Sequence, residues 1–259
     1  MSNTPGRDNI QAPAEIFAAA DRPSFEKDAD ADFKLQKPWN YDKEWNKDRK
    51  YPLVVSLHGG GGSYYTPCLD ENDEELKKYP CFVMAPHNRG WGENAAWVRN
   101  EIEDLIKTWR IDENRIYLMG FSMGGSGSYL FANLAYDEHK RLFAGIVRLA
   151  GHSQTRLQDP LMDKTSVWYH IGLEDVPHRV TLAEEAYQNM KAFPGNAGAV
   201  ETETDDTVDG HPRHTKTLTR SGIAFMRKSA YTGVGHSPSV PFRDPEVLEW
   251  LFSQSLEKR

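Results

Sequence analysis

Apolar and polar positions alternate along this chain in blocks. Short apolar runs at 33–37, 53–57, 81–85, 115–119, 144–149, 167–171 and 223–231 read as strands. Between them lie segments with apolar residues at helical spacing, at 70–78, 95–109, from the glycines near 124 to about 136, at 178–193 and at 244–256. Strands alternating with helices of this length predict an α/β protein with a mostly parallel central sheet and helices on both faces. Two stretches stand outside the rhythm. Residues 1–32 are polar and weakly periodic apart from an apolar patch at 16–20, and are expected to form a partly ordered arm. Residues 195–222 are polar throughout and are expected to be an insertion within one domain spanning 33–259. A polar, tryptophan-bearing turn is expected over 38–50, and no internal repeat is visible.

Composition narrows the picture. The chain has 259 residues and a formal net charge of -7. An acidic surface is a poor match for nucleic acid or anionic lipid, and no run approaches the length of a membrane span. The first residues lead into no apolar stretch of signal-peptide type, so the compartment stays open between the cytoplasm and, for a mature form, the cell exterior. The two cysteines, Cys68 and Cys81, read as buried thiols, with a disulfide as the alternative.

The chemistry concentrates at strand ends. Gly120-Phe121-Ser122-Met123-Gly124-Gly125 follows one expected strand and opens an expected helix. A sharp strand-to-helix turn lifts its central hydroxyl above the sheet edge, and the helix N-terminus favours developing negative charge. Ser122 is therefore the candidate nucleophile. His58-Gly59-Gly60-Gly61-Gly62 follows an earlier strand, where a glycine loop lets backbone N–H groups face a substrate oxygen. Gly60 and Met123, the residue after the nucleophile, are the candidate oxyanion donors. A phosphate-cradling loop is excluded because no Lys-Ser or Lys-Thr pair follows the glycines. His58 reads as a brace for the loop.

Nine histidines compete for the role of base. His236 lies in a glycine-bearing loop between the last strand and the last helix, the place that returns a residue to the nucleophile's sheet edge. His211 and His214 fall in the polar stretch, where a solvated loop is expected. His139 lies in a charged helix tail, and His87, His152, His170 and His178 lie near strand ends. The third member must orient the imidazole. Asp175 lies just past the strand 167–171, with Glu174 as the fallback. The chain order Ser122, Asp175, His236 matches that of one large hydrolase class.

These motifs carry a resemblance. Tyr51-Pro52-Leu53-Val54-Val55-Ser56-Leu57-His58-Gly59, Ile111-Asp112-Glu113-Asn114-Arg115-Ile116-Tyr117, Gly172-Leu173-Glu174-Asp175 and Gly235-His236 resemble the bacterial esterase branch of the α/β-hydrolase superfamily. That branch includes polyhydroxyalkanoate depolymerase-like, feruloyl esterase-like and dienelactone hydrolase-like enzymes and predicted peptidases. The resemblance spans residues 51 to 251. It implies the α/β-hydrolase fold, acyl transfer through Ser122, and no metal or organic cofactor. It also implies a small-molecule or saccharide-linked ester as substrate, with a peptidase or a non-catalytic relative as alternatives. Tyr64, Trp91 and His152 are the candidate substrate contacts, since aromatic residues beside polar donors suit an aryl or sugar-linked ester. No long apolar insertion is present to form a lipase lid. A metal module built on His211 and His214 lacks a clear third ligand.

Overall fold

The computed structural model describes residues 25–27, 33–38, 41–61 and 78–259. Among these residues ten strands form one sheet: β1 (Phe25–Lys27), β2 (Phe33–Gln36), β3 (Tyr51–Leu57), β4 (Phe82–Pro86), β5 (Ile111–Phe121), β6 (Gly145–Leu149), β7 (Ser166–Gly172), β8 (Val200–Val208), β9 (His211–Arg220) and β10 (Ile223–Tyr231). Their spatial order is β1-β2-β4-β3-β5-β6-β7-β10-β9-β8. The six strands from β4 to β10 run parallel, while β1 and β2 close one side and β9 and β8 the other with antiparallel pairing. The helices are α1 (Ala96–Thr108), α2 (Met123–His139), α3 (Asp159–Lys164), α4 (Pro177–Ala192), α5 (Ser239–Arg243) and α6 (Pro245–Ser253).

The central strands are apolar runs because both faces are covered. Along β3, Leu53, Val55 and Leu57 enter a core shared with α1, α2 and α4, whereas Val54 enters a second core shared with α6. That is the period-two alternation of a strand with helices on either side. On α6 the apolar stripe Val247, Leu248, Trp250 and Leu251 is buried, and Asp244 caps its N-terminus by accepting from the Glu246 N–H at 3.0 Å. Pro245 follows at the first helical position, where its missing N–H costs nothing.

The largest difference from the sequence reading lies at 195–222. That stretch is β8 and β9, two antiparallel strands continuing the sheet beyond β10. Two tight turns make the meander. Asp209 and Gly210 have φ of 49° and 82°, and Ser221 and Gly222 have 53° and 80°, the left-handed pairs of type I′ hairpin turns. His211 and His214 are therefore strand residues, not solvated loop residues. Their separation of three puts them on opposite faces, so they do not converge on one ion. Among the described residues no group of three or more His, Cys, Asp or Glu could hold a metal, and no helix is long and apolar enough to cross a membrane. Smaller differences follow from pairing. β5 begins earlier than expected because Ile111 pairs with Tyr51, and the short helix α3 was not expected at all. Phe25–Lys27, within the expected arm, pairs with β2. The expected helix at 70–78 lies outside the described residues except for Lys78, as does Cys68; Cys81 is a buried free thiol.

α4 is tied to β10 by charge. Lys228 donates to Glu184, and Lys216 lies 3.5 Å from the same carboxylate. Burial alone would raise the Glu184 pKa, but hydrogen bonds from Lys228 and Gln188 and the lysine charges outweigh it and hold the carboxyl at about 2. A pKa lower in the folded than in the unfolded chain gives stability that is complete above about 4.5 and lost as pH falls toward about 2. With this carboxylate 37% exposed, solvent screening limits the effect, and Glu184→Gln is expected to cost ~1–2 kcal/mol at pH 7. Denaturant titrations of both proteins should show the gap narrowing below pH 5. An equal gap at pH 7 and pH 3 would mean that the pair is not its source.

Candidate active site

The sheet changes winding direction at β3, with β4 on one side and β5 on the other. Crevices at such switch points, outside the carboxyl ends of the strands, are where ligands bind in this architecture. Ser122 lies there, between β5 and α2, with φ 56° and ψ -109°. A serine pays steric strain for a positive φ, and the surroundings hold it there. Its N–H donates to Leu149 O at 3.0 Å, and its carbonyl accepts from the Ser126 N–H at 2.7 Å and the Ser126 hydroxyl at 2.8 Å. The glycines around it are required for close approach. A Cβ on Gly124 would lie 1.8 Å from Leu57 O, and one on Gly125 2.2 Å from Leu149 O. The turn is thus wedged between the ends of β3 and β6, with no room for side chains.

The loop after β3 packs directly on this turn. A Cβ on Gly59 would come within 3.5 Å of Ser122 Cβ, whereas Gly60 and Gly61 face open space. His58 braces the loop from below. Its Nε2 accepts from the Asn88 N–H at 3.1 Å, so its Nδ1 carries the proton donated to Gly59 O at 2.7 Å. Trp91 completes the brace. Its indole N–H donates to His58 O at 3.1 Å and its ring packs edge-on against His58 and Phe131. At 3% exposed, Trp91 has no surface left for a substrate, which corrects its reading as a substrate contact.

Two further loops are zipped together. The Leu173 N–H donates to Tyr231 O and the Glu174 N–H to Val234 O, each at 2.9 Å. This brings Asp175 to His236, whose Nδ1–H donates to Asp175 Oδ2 at 2.7 Å. On its other side His236 Nε2 lies 2.9 Å from Ser122 Oγ, where it accepts the hydroxyl proton. The Phe121 ring lies 4.8 Å from the imidazole. The Asp175 side chain is 1% exposed and that of His236 33%, so the chain of hydrogen bonds runs from a buried carboxylate to an accessible hydroxyl. Such an arrangement can take a proton from the hydroxyl as it attacks and return it to a leaving group. Glu174, the alternative acid, is exposed.

Three neighbours of these residues escaped the sequence reading. Arg179, four residues after Asp175 in the first turn of α4, donates through Nη1 to Asp175 Oδ1 at 2.9 Å, and the Val176 N–H donates to the same oxygen at 2.7 Å. Burial would raise the Asp175 pKa, but the hydrogen bonds from His236, Arg179 and Val176 outweigh it and hold the carboxyl below its usual value. Ser126, one turn after Ser122, receives the His152 N–H at 2.9 Å and meets His152 Nδ1 at 2.7 Å. Phe121 is the third. The exposed ring of His152 stands at the first turn of α2; burial, then the charges of Arg179, His178, Arg148 and His236, lower its pKa. Tyr64 lies outside the described residues. His170 does not line the crevice; it is buried within β7 between Trp168 and Tyr231.

No protein-family model matches the sequence. A segment of 87 residues, 30% of this chain, is 32% identical to a bifunctional acetylxylan esterase/xylanase of Neocallimastix patriciarum, and covers 13% of that protein's length. Among solved structures the chain is similar to a thermostable esterase, with 23% identity, a TM-score of 0.61, and coverage of 90% of this chain and 62% of that one. It is also similar to the feruloyl esterase module of Clostridium thermocellum, with 15% identity, a TM-score of 0.59, and coverage of 90% and 86%. A third likeness is to the acetyl xylan esterase of Aspergillus awamori, with 16% identity, a TM-score of 0.54, and coverage of 89% and 98%.

Proposed function

We propose that this chain, which has the α/β-hydrolase fold, is a serine hydrolase that cleaves carboxylic esters through an acyl-enzyme on Ser122. The observation that carries the proposal is the continuous hydrogen-bonded chain from Asp175 through His236 to Ser122 at a strained turn. In this reading Ser122 attacks the ester carbonyl while His236 takes its proton, and Asp175 fixes the tautomer and stabilises the imidazolium. The N–H groups of Gly60 and Met123 receive the oxyanion. A single donor of this kind is worth about 3–4 kcal/mol of barrier. His236 then returns the proton to the departing alcohol, and water cleaves the acyl-enzyme by the reverse sequence. No step calls on a metal or an organic cofactor.

The similar proteins support a reading of the substrate class. Proteins named for feruloyl and acetylxylan esters support an ester of an aromatic or short acid, carried by a saccharide. His152 is the described residue best placed to meet it. The test is hydrolysis of a p-nitrophenyl ester series, a feruloyl ester and acetylated xylan, with fluorophosphonate labelling in parallel. Turnover of a short or aromatic ester together with labelling of Ser122 is expected. Labelling without turnover of any ester would move the reading to amide substrates, and neither result would overturn it.

Arg179 positions the acid in this scheme. A hydrogen bond to a charged group is worth ~1.5–3 kcal/mol, and about 1.4 kcal/mol in the transition state is tenfold in rate. Arg179→Met is therefore expected to lower kcat about tenfold with KM unchanged, and Arg179→Lys to recover part of it. A matching loss in KM would place Arg179 at the substrate instead.

A further inference from the structure

Arg148, on β6, is 1% exposed, yet it has no acidic partner among the described residues. Other buried arginines are matched. Arg99 makes a two-pronged bridge to Glu138 at 2.6 and 2.7 Å, and Arg213 is held by Asp206, Asp244 and Glu246. Arg148 donates through Nη2 to the Ser153 carbonyl at 2.9 Å, while its Nε is buried with no hydrogen-bond partner. Its guanidinium carbon lies 4.1 Å from the Tyr129 ring centre and 5.0 Å from that of Tyr169. The Tyr129 hydroxyl is also buried, makes no hydrogen bond of good geometry, and has the Arg148 guanidinium as its electrostatic neighbour.

Arg148 and Tyr129 line one cavity. It lies between α2, α4 and the 153–157 segment and is partly open to solvent. Its apolar walls are Leu157, Met162, Leu182 and Met190, and Arg156 and Glu185 stand exposed at its rim. Neither Ser122, Asp175, His236 nor the Gly59-Gly60-Gly61 loop lines it. The backbone yields to the guanidinium here, since a Cβ on Gly151 would fall 2.7 Å from Arg148 Nε. A buried cation without a counter-charge is strongly unfavourable, and stacking on phenol rings offsets only part of that. An arginine does not escape by losing its proton. Burial pushes the Tyr129 phenol up to about 12, so it remains a donor beside the cation.

We propose that this cavity is a binding site for a small monocarboxylate, with its head group on Arg148 and the Tyr129 hydroxyl and its apolar body against Leu157, Met162, Leu182 and Met190. One buried positive charge calls for one negative charge, and the apolar walls suit a ligand with an apolar body rather than phosphate or a dianion. The site is separate from the nucleophile, so it stands whether or not the esterase reading does.

The test is titration of benzoate into the wild-type protein, into the protein blocked at Ser122 by a fluorophosphonate, and into two variants, by calorimetry at constant ionic strength. Arg148→Met removes the charge. Ala186→Leu leaves the charge and fills the cavity from α4, in case the first variant fails to fold. Saturable binding is expected in the wild-type and blocked proteins, with at least a tenfold loss of affinity in both variants. Unliganded Arg148→Met is expected to melt no lower than wild type, because an apolar chain replaces an unpaired buried charge, whereas a purely structural arginine would give a lower melting temperature. Benzyl alcohol and inorganic phosphate should bind at least tenfold more weakly than benzoate. Absence of saturable benzoate binding, its loss on blocking Ser122, its full retention in Ala186→Leu, or equal binding of benzyl alcohol would each overturn the proposal.

Discussion

Ser122→Ala is expected to reduce ester hydrolysis by about 10^5- to 10^6-fold while leaving the fold intact, which is the scale seen when a serine nucleophile is deleted. Two features make this a clean experiment. Among the described residues the hydroxyl is bonded only to His236, so its removal leaves none of them stranded. The strained turn is held by backbone bonds to Leu149 and Ser126 and by the close approach of Gly124 and Gly125, none of which involves the Ser122 hydroxyl. Alanine keeps the Cβ and therefore the same strain at φ 56°. Melting temperature should stay within a few degrees of wild type, while steady-state hydrolysis of p-nitrophenyl acetate falls to the background of the surviving oxyanion donors. A variant that retained full activity would place the nucleophile elsewhere.

Asp175→Asn is expected to lower kcat by about 10^4-fold, and the environment of Asp175 explains why the amide cannot turn to rescue itself. Oδ1 already receives two donors, the Val176 N–H and Arg179 Nη1. An asparagine must keep its carbonyl oxygen toward those donors, which points its NH2 at His236 Nδ1. The imidazole then carries its proton on Nε2, facing Ser122, and has no lone pair with which to take the hydroxyl proton. Glu174→Gln is the control. Its side chain is exposed and its loop is held through backbone bonds, so activity should remain within about twofold of wild type. A large loss in Glu174→Gln with little in Asp175→Asn would exchange the two roles.

The two halves of the sheet were not equally legible. From β3 to β7 the strands are buried on both faces, so they appear in the sequence as apolar runs ended by glycine or proline, and their ends mark where chemistry gathers. The meander at β8 and β9 carries no such signal, because eight of the nine residues of β8 are exposed and its alternation is between threonines and carboxylates. What did mark it were Asp209-Gly210 and Ser221-Gly222, dipeptides suited to the hairpin turns they form. Around the site, residues fixed by chain order and strand ends could be singled out, whereas Arg179 and Ser126 act through spacing of four along a helix and are visible only once the nucleophile and acid are placed. Trp91 shows the opposite error. An aromatic residue near a glycine loop reads as a contact for substrate until its burial against His58 and Phe131 is seen.

The polarity that hides β8 from a hydrophobic pattern also governs how these molecules behave toward one another. Among the described residues β8 ends the sheet, and an end strand presents backbone groups that invite the same strand of another molecule. Glu201, Glu203, Asp205 and Asp206 lie along it, so antiparallel self-pairing would lay carboxylates beside carboxylates. Hydrogen bonds from Lys191 to Glu201 and from Arg213 to Asp206 hold both of those carboxyls below their usual pKa, so they stay engaged within their own molecule into mild acid. The edge is a fence of charges and internal salt links that discourages filament growth.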